Sequence, residues 1–299
     1  MSVKYLATAF AAMGLTACSP TNPVDPGAKA ALPAIKQACS ERDGWSDPAP
    51  PAHVYANVYM VGTCGIVSLL VTTPKGHFLI DGATAKAAPG IAENIRKLGF
   101  DPRDVRYLLG THEHVDHVGG LAELKRLTGA NFVTRAEARA AMESGVPHQT
   151  DPQLGLLPPF EGVKADMIIE NGEALRIGNQ TLTMIATPGH TPGGASWTWQ
   201  SCEKGECHQF VFADSLNAVS ADDYRFIDHP AYVATLLKSI ATIGTIPKCD
   251  ILIGGHPVQT SFFERLAGEK PLVNVKGCAE YAEAAGKRLE ARLAKEAGN

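Results

Sequence analysis

The chain has 299 residues, a formal net charge of −4 at pH 7 and 45% hydrophobic residues. That hydrophobic content supplies a sizeable core, and we expect one folded domain over residues 39–299. The slightly acidic balance, without a run of Lys or Arg, argues against a nucleic-acid partner.

The N-terminus predicts a targeting signal that is not part of the fold. Lys4 precedes an apolar stretch over residues 5–12, and small residues follow up to residue 17. This stretch is too short for a membrane-spanning helix. We therefore predict a signal peptide over residues 1–17, a flexible tether over residues 18–38 and export to the periplasm.

The run Leu15-Thr16-Ala17-Cys18 also resembles the bacterial lipobox. In a lipobox the cysteine becomes the lipidated first residue of the mature protein. Lipidation of Cys18 would tether the protein to a bacterial membrane. An ordinary cleaved signal with an incidental Cys18 is the alternative.

Hydrophobic periodicity predicts alternating strands and helices in both halves of the remaining chain. The predicted strands cover residues 54–61, 65–73, 77–81, 105–110, 131–134, 182–187, 196–200, 209–213 and 249–253. The predicted helices cover residues 87–98, 119–127, 135–143, 230–243 and 278–297. The last helix is amphipathic, and we expect its apolar stripe to pack on a sheet of the same chain. That stripe consists of Tyr281, Ala285, Leu289 and Leu293.

A dense group of metal-ligating side chains follows the predicted strand 105–110. The run His112-Glu113-His114-Val115-Asp116-His117 contains three imidazoles and the carboxylate of Asp116. Imidazole nitrogen and carboxylate oxygen are ligands that zinc takes. In an extended chain His112 and His114 point to the same face and can bind one ion. Asp116 and His117 lie beyond a bend, which indicates a second ion close to the first.

Two later histidines lie where apolar strands break into glycine and proline. His190 belongs to the run Pro188-Gly189-His190-Thr191-Pro192-Gly193-Gly194, and His256 follows Gly254-Gly255. Side chains at strand ends are held by a rigid sheet and remain open to a substrate. His190 and His256 are therefore the candidates to complete the metal site.

Together these motifs resemble those of the metallo-β-lactamase superfamily. The His-x-His-x-Asp-His pattern alone marks the superfamily, which also contains thioesterases, lactonases and nucleases. Three further runs are similar to the B3 subclass of zinc β-lactamases: Pro188 to Trp199, Phe212-Ala213-Asp214-Ser215-Leu216, and His256-Pro257. The resemblance implies an α/β fold, a four-layer αβ/βα sandwich of two mixed β-sheets with helices on the outer faces. We expect a monomer.

The resemblance further implies two Zn²⁺ ions. His112, His114 and His190 would hold one, whereas Asp116, His117 and His256 would hold the other. A hydroxide bridging the ions would attack the β-lactam amide of penicillins, cephalosporins and carbapenems, which produces antibiotic resistance. Asp116 would orient this nucleophile and then carry its proton.

The resemblance also places two substrate-binding residues near the second ion. Ser215 stands where the B3 subclass has a serine, and we expect a water-mediated or outer role for it. Asn217 stands where the family often has Ser or Thr that contacts the substrate carboxylate. This departure leaves carboxylate recognition to an amide.

A metal-dependent hydrolase of another ester, thioester or lactone on the same fold is the alternative function. In the thioester-hydrolysing branch an aspartate in a setting similar to that of Asp214 bridges the metals. Under the β-lactamase hypothesis Asp214 is a structural residue beside the site, and Asp81 orients the metal-binding loop. A non-enzymatic metal-binding lipoprotein is a third hypothesis, but it would not need half-open sites at strand ends.

Removing Cys18 leaves six cysteines, which can pair evenly in an oxidising periplasm. Cys202 and Cys207 flank a short charged turn between two predicted strands and are natural partners. The resemblance implies a Cys249–Cys278 bridge, which leaves Cys39 with Cys64.

The connection over residues 145–166 is long and contains several prolines and apolar side chains. Loops of this length are often functional. A flap over the metal ions and a cap on the hydrophobic core are both open interpretations.

Overall fold

The structure of the protein is a computed structural model that describes residues 32–298. The predicted signal peptide, the lipidation site Cys18 and most of the predicted tether lie outside the described residues. Within residues 32–298, no helix combines the length and the apolar character that crossing a membrane requires.

Strands and helices alternate along the described chain. The strands are β1 (Ala52–Tyr55), β2 (Val58–Met60), β3 (Leu69–Thr73), β4 (Gly76–Ile80), β5 (Val105–Leu109), β6 (Asn131–Thr134), β7 (Met167–Ile168), β8 (Ala174–Ile177), β9 (Gln180–Ala186), β10 (Ala195–Glu203), β11 (Glu206–Ala213) and β12 (Ile251–Gly254). The helices are α1 (Leu32–Ala38), α2 (Ala88–Lys97), α3 (Val115–Val118), α4 (Leu121–Thr128), α5 (Ala136–Ser144), α6 (Pro230–Gly244), α7 (Phe262–Leu266) and α8 (Gly277–Ala297).

The strands form two mixed sheets. In the first sheet, β1 to β7 lie side by side in chain order, antiparallel as far as β4 and parallel from β4 onward. In the second sheet the order is β12-β11-β10-β9-β8, and the β11–β12 pair is parallel. Parallel neighbours place the ends of β4 and β5, and those of β11 and β12, at common sheet edges, where the candidate ligands follow.

The two sheets face each other across an apolar core. In β3, Leu69 and Val71 point into this core, whereas Leu70 points to the opposite face. This two-residue alternation is what a strand covered on both faces requires. From the second sheet, Trp197 and Phe212 fill the same core.

Helices cover the outer faces of both sheets. Ile91 of α2 and Leu121 of α4 pack on the first sheet. Leu236 of α6 packs on the second sheet, together with Tyr281 and Leu289 of α8. This four-layer αβ/βα sandwich confirms the predicted fold class, and the packing of α8 confirms the prediction for its apolar stripe.

Two predictions near the N-terminus differ from the structure. The strand predicted over residues 54–61 is a hairpin, because the chain reverses at Ala56 with φ at 51°. The tether predicted over residues 18–38 extends too far, because residues 32–38 form α1. Ile35 of α1 is fully buried in the core between the sheets, and this burial anchors the helix.

Three disulfides join the six cysteines of the described chain. Cys39–Cys64 ties the end of α1 to the loop before β3, and Cys202–Cys207 closes the β10–β11 hairpin. Cys249–Cys278 fastens the segment before β12 to the first turn of α8.

Candidate metal centre

Three buried histidines form a first cluster at the ends of β5 and β9. His112 and His114 follow β5, and His190 lies in the turn between β9 and β10. One ring nitrogen from each residue lies within 4.8 Å of the others. The imidazoles meet edge to face, with ring centroids 4.8 to 5.0 Å apart. The first predicted ligand set therefore converges on one point.

Hydrogen bonds fix which nitrogen of each imidazole faces this point. His112 Nδ1 lies 2.8 Å from Asp214 Oδ1, and His190 Nδ1 lies 2.9 Å from the Asn217 carbonyl oxygen. The Asn217 carbonyl can only accept, so His190 donates from Nδ1 and its Nε2 is left with a free lone pair. His112 has the same arrangement when Asp214 is ionised. His114 is reversed, since its Nε2 lies 2.9 Å from Asp151 Oδ2 and its Nδ1 remains free.

Asp116, His117 and His256 form a second cluster directly beside the first. Asp116 Oδ2 lies 3.2 Å from His117 Nε2 and 3.5 Å from His256 Nε2, and the two nitrogens are 3.2 Å apart. The ring centroids of His112 and His117 are 4.1 Å apart, so the two clusters are adjacent. A Cβ added to Gly255 would lie 2.6 Å from the His117 ring, which explains the need for glycine there.

The two histidines of the second cluster are also oriented from behind. His117 Nδ1 lies 2.9 Å from Asp81 Oδ2, and His256 Nδ1 lies 3.2 Å from the Gly65 carbonyl oxygen. Asp81 is fully buried and also accepts hydrogen bonds from the amide and hydroxyl of Thr111. It thus orients the loop after β5 and one of its imidazoles.

Burial and neighbouring charges set the protonation of these groups. Burial lowers the pKa of His190 to about 3 and that of His256 to about 4, which keeps both imidazoles neutral and able to bind metal. Burial opposes charge on His117 as well, but the carboxylates of Asp116 and Asp81 raise its pKa to about 10. The second cluster therefore favours a positive charge at the position where a cation would bind.

Burial also acts on the pair behind the first cluster. It lowers the pKa of His112 and raises the pKa of Asp214, so both groups favour their neutral forms without a metal. A cation at His112 Nε2 would favour the ionised carboxylate and the Nδ1–H tautomer. The donor sets, three imidazoles and two imidazoles with a carboxylate, fit zinc.

Sequence reasoning missed two residues that reach this centre. Asp151 is 2% exposed and contacts His114, and Gln153 Nε2 lies 3.4 Å from His190 Nε2. Both come from the long connection 145–166. Leu154 and Leu156 of this connection are 42% and 52% exposed, so they do not cap the core. A carboxylate inside a long, proline-rich connection was the one local signal available.

Comparison with known proteins decides the family. Residues 61–203 match the model of the metallo-β-lactamase superfamily. The solved structure of the MIM-1 metallo-β-lactamase from Novosphingobium pentaromativorans is 49% identical, with a TM-score of 0.86 over 88% of this chain and 98% of that chain. The chain belongs to the metallo-β-lactamase superfamily. It is therefore a hydrolase of that superfamily.

Subclass B3 enzymes are among the solved metallo-β-lactamases that it resembles. MEM-A1 from a soil metagenome library is 41% identical, with a TM-score of 0.81 over 85% of this chain and 99% of that one. BJP-1 of Bradyrhizobium japonicum is 30% identical, with a TM-score of 0.75 over 85% and 97% of the two chains. Superfamily membership and the histidine clusters together imply zinc.

Curated sequence relatives include other hydrolases of the superfamily. The N-acyl homoserine lactonase AttM of Agrobacterium fabrum (strain C58) is 30% identical over 43% of this chain and 57% of the lactonase. A hydroxyacylglutathione hydrolase of Rhodopseudomonas palustris (strain CGA009) is 33% identical over 65% of this chain and 66% of that enzyme. The chain thus spans about half to two thirds of the length of these relatives.

The remaining predicted residues of this metallo-β-lactamase-type site lie around the two clusters. Ser215 is 1% exposed, and its hydroxyl finds no hydrogen-bond partner among the described residues. Asn217 is half-buried, and its carbonyl holds His190. Asp214 Oδ1 accepts from Ser215 N in addition to contacting His112, whereas Oδ2 faces the Thr187 hydroxyl at 3.4 Å.

Proposed function

We propose that this protein is a zinc-dependent β-lactamase that opens the amide bond of penicillins, cephalosporins and carbapenems. The observation that carries the proposal is the position of Asp214. Both of its oxygens are engaged by protein groups behind His112, and Asp116 is the carboxylate among the converging ligand atoms. The alternative thioester hydrolase would need Asp214 between the two metals. High coverage of solved metallo-β-lactamases supports the same choice.

Zinc supplies the Lewis acid for such a reaction, and when bound it lowers the pKa of water to about 7, so that hydroxide is available near neutral pH. The protein supplies orientation and proton transfer. Asp116 is 4% exposed and lies between the clusters, because it shares a possible ligand group with His112 and His117 and its Oδ2 lies 3.5 Å from His256 Nε2. From this position its carboxylate can orient the attacking water, accept its proton and return a proton to the leaving amide nitrogen.

The exposed side of the centre supports binding of a small substrate. Among the six candidate ligands, the side chain of His256 is 24% exposed and the other five are buried. Asn217, which is not a ligand, is half-buried. Substrate would therefore approach past His256 and Asn217. Leu154 directly follows Gln153 and Leu156 lies two residues further on, and both are exposed and offer apolar surface for a substrate side chain.

The proposal is tested with purified protein loaded with zinc. Hydrolysis of a chromogenic cephalosporin and of a carbapenem is expected, together with loss of activity in a chelator and recovery on adding zinc. An N-acyl homoserine lactone and a glutathione thioester are assayed in parallel, because the curated relatives make those bonds the second candidates. Turnover of the lactone or thioester without turnover of either β-lactam would overturn the proposal.

We also propose a periplasmic location with a lipid tether at Cys18. Three disulfides within residues 32–298 support an oxidising compartment. Cells that express the wild-type chain and cells that express the Cys18→Ser variant are fractionated in parallel. If Cys18 carries the lipid, the wild type should be found in the membrane fraction and the variant in the soluble periplasmic fraction. The same distribution for both proteins would contradict the lipid tether.

A further inference from the structure

Asp151 joins the connection 145–166 to the first histidine cluster. Its side chain is buried, and each carboxylate oxygen has a different partner. Oδ2 lies 2.9 Å from His114 Nε2, and Oδ1 accepts a hydrogen bond of 2.7 Å from the backbone N–H of Gln153. One carboxylate thus contacts a metal ligand and the backbone of the neighbouring turn at the same time.

The contact with His114 determines which nitrogen can bind metal. An ionised carboxylate only accepts hydrogen bonds, so His114 donates from Nε2 and keeps its Nδ1 lone pair for the cluster. In residues 32–298, Asp151 is the hydrogen-bond partner of that nitrogen. His112 and His190 have the opposite arrangement, because their partners hold Nδ1. His114 therefore needs an acceptor at Nε2, whereas His112 and His190 need one at Nδ1.

The backbone around Asp151 forms a compact turn. The Asp151 amide donates to the His148 carbonyl at 2.9 Å, and the Leu154 amide donates to the Asp151 carbonyl at 3.0 Å. The Pro152 carbonyl accepts from the Ala221 amide at 2.8 Å, which connects the turn to the segment after Asn217. This turn places the Gln153 side chain beside His190.

We propose that Asp151 is a positioning residue for the first cluster. It fixes both the orientation of His114 and the turn of the connection 145–166, and thereby sets the zinc affinity of that cluster. Oδ2 orients His114, and Oδ1 holds the turn through the Gln153 backbone amide. Losing either contact affects the same cluster, since the turn places Gln153 beside His190 and Oδ2 holds His114. The inference rests on the proposed zinc centre but not on the choice of a β-lactam substrate.

The substitution Asp151→Asn removes one of the two contacts of the carboxylate. Asparagine has one accepting oxygen, so it can accept from His114 or from the Gln153 amide but not from both. If its NH₂ group faces His114, the imidazole must place its own proton on Nδ1, which blocks metal binding. We expect zinc affinity of one equivalent to fall by about 10- to 100-fold, with the second equivalent unchanged.

Chelator competition measures this loss without any substrate. The visible absorption of the Co²⁺-substituted protein provides the spectroscopic readout, and we expect the bands of one site to change. Asp166→Asn is the matched control, because Asp166 closes the same connection through Lys125 and the Phe132 amide without contacting a metal ligand. Asp166→Asn should retain both equivalents.

Equal zinc affinity in Asp151→Asn and the wild type would overturn the inference while leaving the proposed zinc centre intact. An equal loss in Asp151→Asn and Asp166→Asn would also overturn it, because general anchoring of the loop would then explain the effect. Wild-type protein that binds no zinc would instead refute the proposed function. If Asp151→Asn does not fold, nuclear magnetic resonance of the zinc-loaded wild type gives the test. A protected, downfield His114 Nε2 proton is expected, and its absence would overturn the inference.

Discussion

Asp214 Oδ1 lies 2.8 Å from His112 Nδ1, and both side chains are almost completely buried. The hydroxyl of Tyr281 donates to the Asp214 carbonyl at 3.0 Å, so α8 holds the backbone of this residue. A Cβ added to Gly194 would lie 2.4 Å from Asp214 Oδ2. The carboxylate is therefore held behind the imidazole, which matches an orienting role.

Asp214→Asn should weaken zinc binding at the first cluster by about 10- to 100-fold, because an amide is a poorer acceptor for the His112 N–H than a carboxylate. The measurement is zinc stoichiometry under chelator competition. Asp228→Asn serves as a control, since the side chain of Asp228 is 59% exposed and pairs with Arg225. Loss of both zinc equivalents in Asp214→Asn would instead favour a bridging carboxylate.

His256→Ala should remove one zinc equivalent and strongly reduce turnover, because the second cluster would keep only Asp116 and His117. Metal analysis and cephalosporin hydrolysis on the same preparation check this. His53→Ala is the matched histidine control, since His53 packs on Tyr59 outside both clusters. Full activity of His256→Ala would show that the second cluster is not needed for the chemistry.

Two of the three disulfides should differ clearly in their contribution to stability. Cys249–Cys278 closes a separation of 29 residues and Cys202–Cys207 a separation of 5. In the chain-entropy model, replacing both cysteines by serine should then cost about 3.5 kcal/mol for the longer loop and about 2 kcal/mol for the shorter one.

Denaturant unfolding of the two double-serine proteins gives these free energies. Where both remain folded, the protein without Cys202–Cys207 should keep nearly full hydrolytic activity, because that hairpin lies outside the metal clusters. The reverse order of stabilities would contradict the prediction.

Glu296 should stabilise the protein in a pH-dependent way. It is 6% exposed, pairs with Arg292 and accepts from the Ile227 amide at 2.9 Å, which holds the segment after Asn217 against α8. Burial would raise its pKa, but the Arg292 hydrogen bond and the backbone amides lower it below the usual 4.5. A lowered folded-state pKa means that the stabilisation is complete above pH 4.5 and is lost as the pH falls through the folded value.

Glu296→Gln should therefore cost about 1–2 kcal/mol at pH 7. The difference from wild type should shrink progressively below pH 4.5 in denaturant titrations. Glu290→Gln, on an exposed position of the same helix, should show no such trend. A gap that widens at low pH would reverse the sign and refute the argument.

The ligand clusters could be predicted from sequence because their signals are local. Four ligands lie within residues 112–117, and His190 and His256 follow apolar strands that end in glycine or proline. Asp151 could not be predicted in the same way. Its role depends on how an irregular segment folds back on His114, and no hydrophobic period encodes that path.

The same distinction holds for the fold. Strand β6 has the predicted bounds, since the adjacent apolar residues Phe132 and Val133 are flanked by polar residues and followed by a helix that buries Ala138, Ala141 and Met142. The β1–β2 hairpin was missed because its turn uses Ala56 at positive φ, a conformation that alanine does not signal. Helix α1 was missed because its anchor, Ile35, finds its partners in the core between the sheets.

His117 and His256 are 139 residues apart in sequence and meet at 3.2 Å, one following a strand of the first sheet and the other a strand of the second. Zinc bound by both histidines would cross-link the two sheets. Loss of zinc would then remove the metal needed for hydrolysis and also lower the stability of the fold. Until it binds zinc, the apoprotein would depend on the disulfides, the apolar core and the hydrogen bonds that join the two sheets, such as that from the Val67 amide to the Gly255 carbonyl.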